Sequence, residues 1–277
     1  MNNNHGATER GPNEKITVCI ICGNEESNIE RCLKSVTWAD EVLVVDSFSH
    51  DKTPEIARRY TPNVIQKEWL GYIGQKKFIA EMAKGPWILF VDADEEISPT
   101  LRAEIEKKFS KPLPSAVHGF DCPRLVPYLG RWIRHGDWYP DTKLRLFKKA
   151  FGECGGKEPH DRVYVTGSVQ RLRGEIFHYT YADIEDQLAT INRFSSISAN
   201  THDEEGRKVH VCDLIVRSLY RFIRGYVFKL GFLDGVPGLI VAKNVAFGTF
   251  AKYAKLWEIQ NVKRAKNLET DRYPKHR

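Results

Sequence analysis

The chain has no apolar run approaching the ~20 residues that a membrane-crossing helix needs, because Lys229, Asp234 and Lys243 interrupt its most hydrophobic stretch. Cysteine is scarce, with six in 277 residues, which argues against a disulfide framework. Cys19-x-x-Cys22 has no second C-x-x-C to complete a metal site, and a spacing of three on a strand points the two thiols to opposite faces. Residues 1–14 (MNNNHGATERGPNE) lack the apolar core of a signal peptide and read as a flexible tail. These absences lead us to expect a reducing, cytoplasmic setting. Neither charge dominates: 42 Lys+Arg face 36 Asp+Glu, for a formal net charge of +6. There is no internal repeat and no nucleic-acid-binding motif beside the basic residues, so nucleic acid is not an expected partner. What remains, with 42% hydrophobic and 28% charged residues, is the composition of a soluble globular protein of one large domain or two small ones.

The first half alternates between two hydrophobic periods. Ile16–Cys22 (ITVCIIC), Glu41–Val45 (EVLVV) and Pro86–Val91 (PWILFV) are continuous apolar runs, the pattern of strands buried on both faces. Asn63–Lys67 is a weaker strand of the same kind. Between them lie helices. Ile29, Cys32, Leu33 and Val36 repeat at helical spacing behind a Ser27–Glu30 capping box. Thr53 and Pro54 supply an N-cap and a first-turn proline. Tyr72–Met82 forms another helix, and Ser98-Pro99 starts one with Leu101, Ile105 and Phe109 on its inner face. Strand–helix alternation with apolar strands predicts an α/β fold with a mostly parallel, doubly wound sheet. After about residue 115, alternating segments such as Lys143–Lys149 (KLRLFKK) predict short antiparallel strands and ordered loops, followed by a helix over Asp183 to about Glu204.

Ligands bind such sheets at the carboxyl ends of the strands. Three strands deliver polar groups there: Asn24-Glu25, Asp46-Ser47, and Asp92-x-Asp94. Neighbouring carboxylates repel and desolvate poorly unless a cation neutralises them, and oxygen ligands suit Mg²⁺ or Mn²⁺ completed by phosphate oxygens. The same residues also suit a solvated loop that Glu95 and Glu96 continue. Asp46, Ser47 and the following hydroxyls can hydrogen-bond a uracil edge and ribose, or can form a helix-capping turn.

ITVCIICGNEESNIERCLKSV, EVLVVDSFSHDKT, GQKKFIAEMAKGPWILFVDADEE, WYPDTKLRLFKK, HDRV and IFHYTY, in this order, resemble family-2 glycosyltransferases of the GT-A fold, in particular the lipopolysaccharide-core β-1,4-glucosyltransferase branch. The resemblance covers roughly residues 15–260. It implies that Asp46 reads the nucleotide base, that Glu25 borders the nucleotide, and that Asp92 and Asp94 form the metal-binding D-x-D, with Asp94 the direct ligand. It implies that Asp161, in His160-Asp161, is the catalytic base, one methylene shorter than the His-Glu of many in that branch. It makes His178 the histidine that completes the metal shell. Asp161 beside Arg162 also fits a surface ion pair, and His178 a core histidine. Asp137, Trp138, Tyr139 and Asp141 (GDWYPD) suit an acceptor side with faces for sugar stacking, or a turn around Pro140. Lys143, Arg145 and Lys148 suit phosphate steering or the wet face of an alternating strand.

From Asp213 to Trp257, seven Lys/Arg and two Asp are interleaved with aromatics. That composition suits the interface of an anionic bilayer or a helical cover with snorkelling basic residues. The expectation is therefore a GT-A catalytic domain over 15–205 and a helical, amphipathic appendage over 206–277. The reaction expected is inverting transfer of a hexose, glucose in particular, from a UDP-sugar with Mn²⁺ or Mg²⁺. The acceptor is a lipopolysaccharide inner core or similar lipid-linked glycan at the inner face of the cytoplasmic membrane. A polyprenyl phosphate or other acceptor, and a non-catalytic nucleotide- or membrane-binding scaffold, are the alternatives.

Overall fold

Every side chain of β1 (Ile16–Cys22) is buried, which is possible only for a strand covered on both faces. In the computed structural model, which describes residues 14–157 and 160–263, β1 pairs in parallel with β2 (Glu41–Asp46) on one side and β4 (Trp87–Asp92) on the other. β3 (Val64–Gln66) extends the parallel set beyond β2. Beyond β4 the sheet turns mixed. β8 (Asp141–Lys148) runs antiparallel to both β4 and β6 (Val117–Tyr128). β12 (Ile176–His178) lies parallel to β6 and antiparallel to β5 (Glu95–Ile97). The spatial order is β3-β2-β1-β4-β8-β6-β12-β5. A separate two-stranded ribbon pairs β9 (Gly152–Lys157) with β10 (His160–Val165).

Successive residues of a strand face opposite ways, and the core divides accordingly. Ile16, Val18 and Ile20 pack with α1 (Ile29–Ser35), α2 (Thr53–Arg58) and α4 (Pro99–Phe109), through Leu33, Ala57 and Leu101 among others. Cys19 and Ile21 pack the other way, with Ile79 of α3 (Gly71–Met82). Cys19 and Cys22 therefore lie in different clusters, and burial pushes both thiols up, so neither redox nor zinc chemistry is built there.

Two helix starts differ from expectation. The Ser27–Glu30 box does not form. Asn28 occupies the cap without a side-chain bond, the Glu25 carbonyl takes the first N–H groups, and Glu30 instead accepts from the Tyr60 hydroxyl at 2.8 Å. Thr53 is the first helical residue rather than the cap, and its Oγ1 accepts the Glu25 N–H at 2.7 Å. In both cases a tertiary partner outcompetes a local bond. Ser98 does cap α4, accepting from the Leu101 N–H at 3.1 Å.

The described chain forms two compact units, one of residues up to Leu125 plus Asp141–Tyr179, the other of Val126–Pro140 plus residues from Thr180 on. In the second unit α5 (Ile184–Glu204) packs with α7 (Gly235–Glu258). Apart from Glu14, the tail expected over 1–14 lies outside the described residues, as do the last residues of the expected appendage. In the second unit a helix over Asp213–Phe228, with α6 (Ser218–Ile223) at its centre, meets the following helix at 71°. Among the described residues no single helix is long and apolar enough to cross a membrane.

Candidate active site

The register of the parallel strands sets Cys22 beside Asp46 and Ile21 beside Asp92, so the acidic residues of β2 and β4 reach one carboxyl edge together. Asp46 is fully buried. Its carboxylate accepts the Ser49 N–H at 3.1 Å, the Ser49 hydroxyl, and the Gln66 amide at 3.3 Å. Ser47 Oγ accepts from Gln75, a fully buried amide of α3, at 3.0 Å. Glu25 holds Asn28 at 3.0 Å. Its carboxyl is raised above the usual range, first by burial and then by the negative charge of Asp94, Asp51 and Asp92.

Asp92 is the hub of the site. Lys76 of α3 lies 3.1 Å from its Oδ1, and Arg145 of β8 lies 2.5 Å from its Oδ2. Burial pushes Asp92 up, but the two cations outweigh it and hold the carboxyl well below the usual carboxylate range. Lys76 Nζ also reaches Asp161 Oδ2 at 2.8 Å. One buried ammonium thus bridges the first aspartate of D-x-D and Asp161 of β10. Asp161 pairs with Lys76, 85 positions away in the chain, rather than forming the ion pair with Arg162 that adjacency suggested.

Arg145 corrects the reading of Lys143–Lys149 as a strand with a wet basic face. The β6–β8 pairing shifts so that Phe120 faces Leu146 while Asp121 faces Leu144. That bulge leaves Arg145 opposite no partner and breaks the alternation. Arg145, Leu146 and Phe147 are consequently buried in succession. The Arg145 guanidinium also binds the fully buried Glu95 at 2.6 Å, and Arg124 of β6 reaches Glu95 at 3.3 Å. Arg124 binds Asp141 as well, through Nε at 2.9 Å, and this pairing holds the Asp141 carboxyl below its usual range against its own burial.

Asp94 and His178 come together. The antiparallel β5–β12 pairing sets His178 opposite Glu95, the His178 Nε2 lies 3.2 Å from Asp94 Oδ2, and the Tyr179 N–H binds the Asp94 carbonyl at 3.0 Å. Among the described residues no three His, Cys, Asp or Glu side chains converge as a ready-made metal cage. The donor set nevertheless fits the cation expected. One carboxylate and one imidazole make a partial shell of the sort that phosphate oxygens and water complete around Mg²⁺ or Mn²⁺. Asp92 does not share in it here, since Lys76 and Arg145 occupy its two oxygens.

Of the expected acceptor set, Asp141 belongs to the first unit, and Asp137, Trp138 and Tyr139 to the second. Asp137 is enclosed by Arg224, Lys229 at 3.2 Å and Arg221 at 3.5 Å. The Trp138 ring packs against Tyr128 and Tyr181. Lys76, Gln75, Arg145, Glu95 and Arg124 were not singled out for these places. The signal for Lys76 was its position three residues before Ile79, on the buried face of α3.

The mixed α/β sheet with its flanking helices is that of a GT-A glycosyltransferase, a class that moves sugar from a sugar nucleotide. The chain belongs to glycosyl transferase family 2, whose description matches residues 17–173, more than half its length. It is 32% identical over 271 residues to an uncharacterized glycosyltransferase of Rickettsia typhi, covering 94% of this chain and 92% of that one. It is 25% identical over 265 residues to the lipopolysaccharide core biosynthesis glycosyltransferase LpsC of Rhizobium meliloti, covering 93% and 97%. Among solved structures it is similar to a mannosyltransferase of Pyrobaculum calidifontis in complex with GDP-Man and Mn²⁺, at 15% identity and a TM-score of 0.48, covering 95% of this chain and 82% of that one.

Proposed function

We propose that the protein is a metal-dependent, inverting hexosyltransferase that moves glucose from UDP-glucose to a lipopolysaccharide inner core or similar lipid-linked glycan. In this reading it works at the inner face of the cytoplasmic membrane. The observation that carries the reading is the pairing of Asp94 with His178, two residues past an Asp92 that Lys76 ties to Asp161. The name of the Rhizobium relative supports the acceptor class.

The acceptor hydroxyl attacks the anomeric carbon from the face opposite the diphosphate. Its oxygen–carbon bond forms as the bond to the diphosphate oxygen breaks, and the electron pair leaves with UDP. Asp161 takes the hydroxyl proton. No enzyme nucleophile is needed for inversion. Asp94 and His178 would hold the cation, which when bound offsets the charge growing on the diphosphate. Lys76 positions the base and keeps it tied to the donor-side Asp92. Glu25 borders the nucleotide. Asp46 and Ser47 receive the uridine, whose imide must displace the Ser49 hydroxyl to reach the Asp46 carboxylate. Asp141 is the acceptor-side residue best supported in the first unit, because Arg124 fixes it.

The test is release of the nucleoside diphosphate, UDP or GDP, from a panel of UDP- and GDP-sugars with Mn²⁺, with and without lipopolysaccharide acceptors. Release confined to UDP-glucose and stimulated by the core acceptor is the expected result. Nucleotide binding without turnover on any donor and acceptor would leave only a scaffold.

A further inference from the structure

We infer that the bend joining the two C-terminal helices is a membrane-inserting wedge, held by apolar contact rather than by surface charge. The inference rests on the membrane reading above and deepens it. At the 71° bend between the helix Asp213–Phe228 and the one that follows, large apolar side chains face outward. Phe228 is 73% and Val236 68% exposed, and Leu230, Phe232 and Leu233 are exposed too. Several charges of the same segment are held by acidic partners. Arg221, Arg224 and Lys229 gather on the almost buried Asp137. Asp234 is 2% exposed and accepts the His135 N–H at 2.8 Å and faces its Nδ1 at 3.0 Å. Arg217 is held by Asp213 at 2.6 Å. A helical cover for a soluble domain is arranged the other way round.

The bend is also closely packed. A Cβ at Gly231 would sit 2.7 Å from the Gly225 carbonyl oxygen, and one at Gly238 2.0 Å from the Gly231 carbonyl oxygen, so backbones meet there at distances only glycine allows. The apolar tip is therefore a built surface, and a contiguous exposed apolar patch marks an interaction site. Its occupant is a bilayer with anionic headgroups. The bent pair together has the length and composition of apolar membrane helices. The segment from Asp213 to Trp257 carries seven Lys/Arg against two Asp, and Arg221, Arg224 and Lys229 share the single Asp137 carboxylate, so a positive excess remains beside the apolar tip, which matches anionic headgroups above an apolar interior and would repel a second copy of the same face. The alternative of an electrostatic anchor through Arg217, Arg221 and Arg224 is weakened, because all three are already paired.

The experiment is vesicle flotation of the full-length protein with phosphatidylcholine alone and with phosphatidylcholine plus phosphatidylglycerol, at low salt and at about 1 M NaCl, where screening acts beyond ~3 Å. The expected result is flotation with both vesicles, stronger with the anionic one, and mostly retained in high salt. Phe228→Gln and Phe232→Gln should each lower the partition coefficient on the order of ten-fold while leaving the UDP-induced rise in Tm unchanged, which also reports that each variant folds. Complete release by salt, or no flotation, would overturn the wedge, and the salt series on the wild type decides this without any variant. A dimer in light scattering that the same substitutions dissociate would overturn it in favour of self-association. Vesicle binding without transfer to any acceptor would sink the glycosyltransferase assignment and leave the wedge standing. Transfer without vesicle binding would do the reverse.

Discussion

Arg145→Met removes the cation between Asp92 and Glu95 while keeping an unbranched stem. Arg145 is 7% exposed and Glu95 0%, so the change strands a carboxylate that water cannot reach. Breaking a buried pair by removing one partner costs about 3–5 kcal/mol. The lower end applies here, for two reasons. Glu95 keeps Arg124 at 3.3 Å and the Asp92 N–H at 3.0 Å, and Asp92 is 29% exposed and keeps Lys76. About 3 kcal/mol at ~2–4 °C each for a domain of this size is a fall in Tm of roughly 6–12 °C. The pH dependence has a definite sign. Asp92 is depressed in the folded wild type, so its contribution is present above the unfolded carboxylate value of ~3.9 and is lost as pH falls through the folded value. In the variant the depression shrinks, so the gap between the two proteins is full at pH 7 and narrows below about pH 4. Thermal denaturation followed by circular dichroism across this range is the assay. Adding Glu95→Gln to Arg145→Met should restore part of the loss, since a neutral amide needs no counter-charge. A Tm drop under about 2 °C at pH 7, or a gap that widens in acid, would refute the account of Arg145 as the buried counter-ion.

Asp94→Asn should abolish UDP release, and EDTA should inactivate the wild type with Mn²⁺ or Mg²⁺ restoring it; full turnover in EDTA would remove the metal assignment. Asp161→Asn should lower kcat by ~10²–10⁴ with little change in UDP affinity by calorimetry, and a collapse of UDP affinity at normal turnover would move Asp161 to the donor side. Gly174→Ala places a Cβ 2.3 Å from the Leu101 Cα, a backbone clash that cannot relax by side-chain rotation. Overpacking of this kind costs about 1–3 kcal/mol, and an unchanged Tm would show that α4 shifts freely.

The sheet was legible because its strands are continuous apolar runs: burial on both faces leaves no other placement for ITVCIIC, EVLVV or PWILFV. The same runs told where the strands end, and so which carboxylates share an edge. Asp92, Asp94, Asp46 and Glu25 could be picked out from their place within three residues of a strand's end, and His178 and Asp161 only through resemblance to a family. Lys76 was not picked out, and Arg145 only for phosphate steering or a wet strand face, because their partners lie 85 and 53 positions away for the pairs Lys76–Asp161 and Arg145–Asp92. A hydrophobic period says which face a residue takes, not which distant charge meets it. The β6–β8 bulge that buries Arg145 is a property of two strands in register, and neither strand carries it alone. The capping box failed for a related reason, since Glu30 found the Tyr60 hydroxyl of a neighbouring helix end. In the C-terminal region the sequence determined composition, basic and aromatic with no membrane-length apolar run. Tertiary structure decided partners and direction: Asp137 gathers Arg224 and Lys229, and the apolar residues at the bend are left facing out.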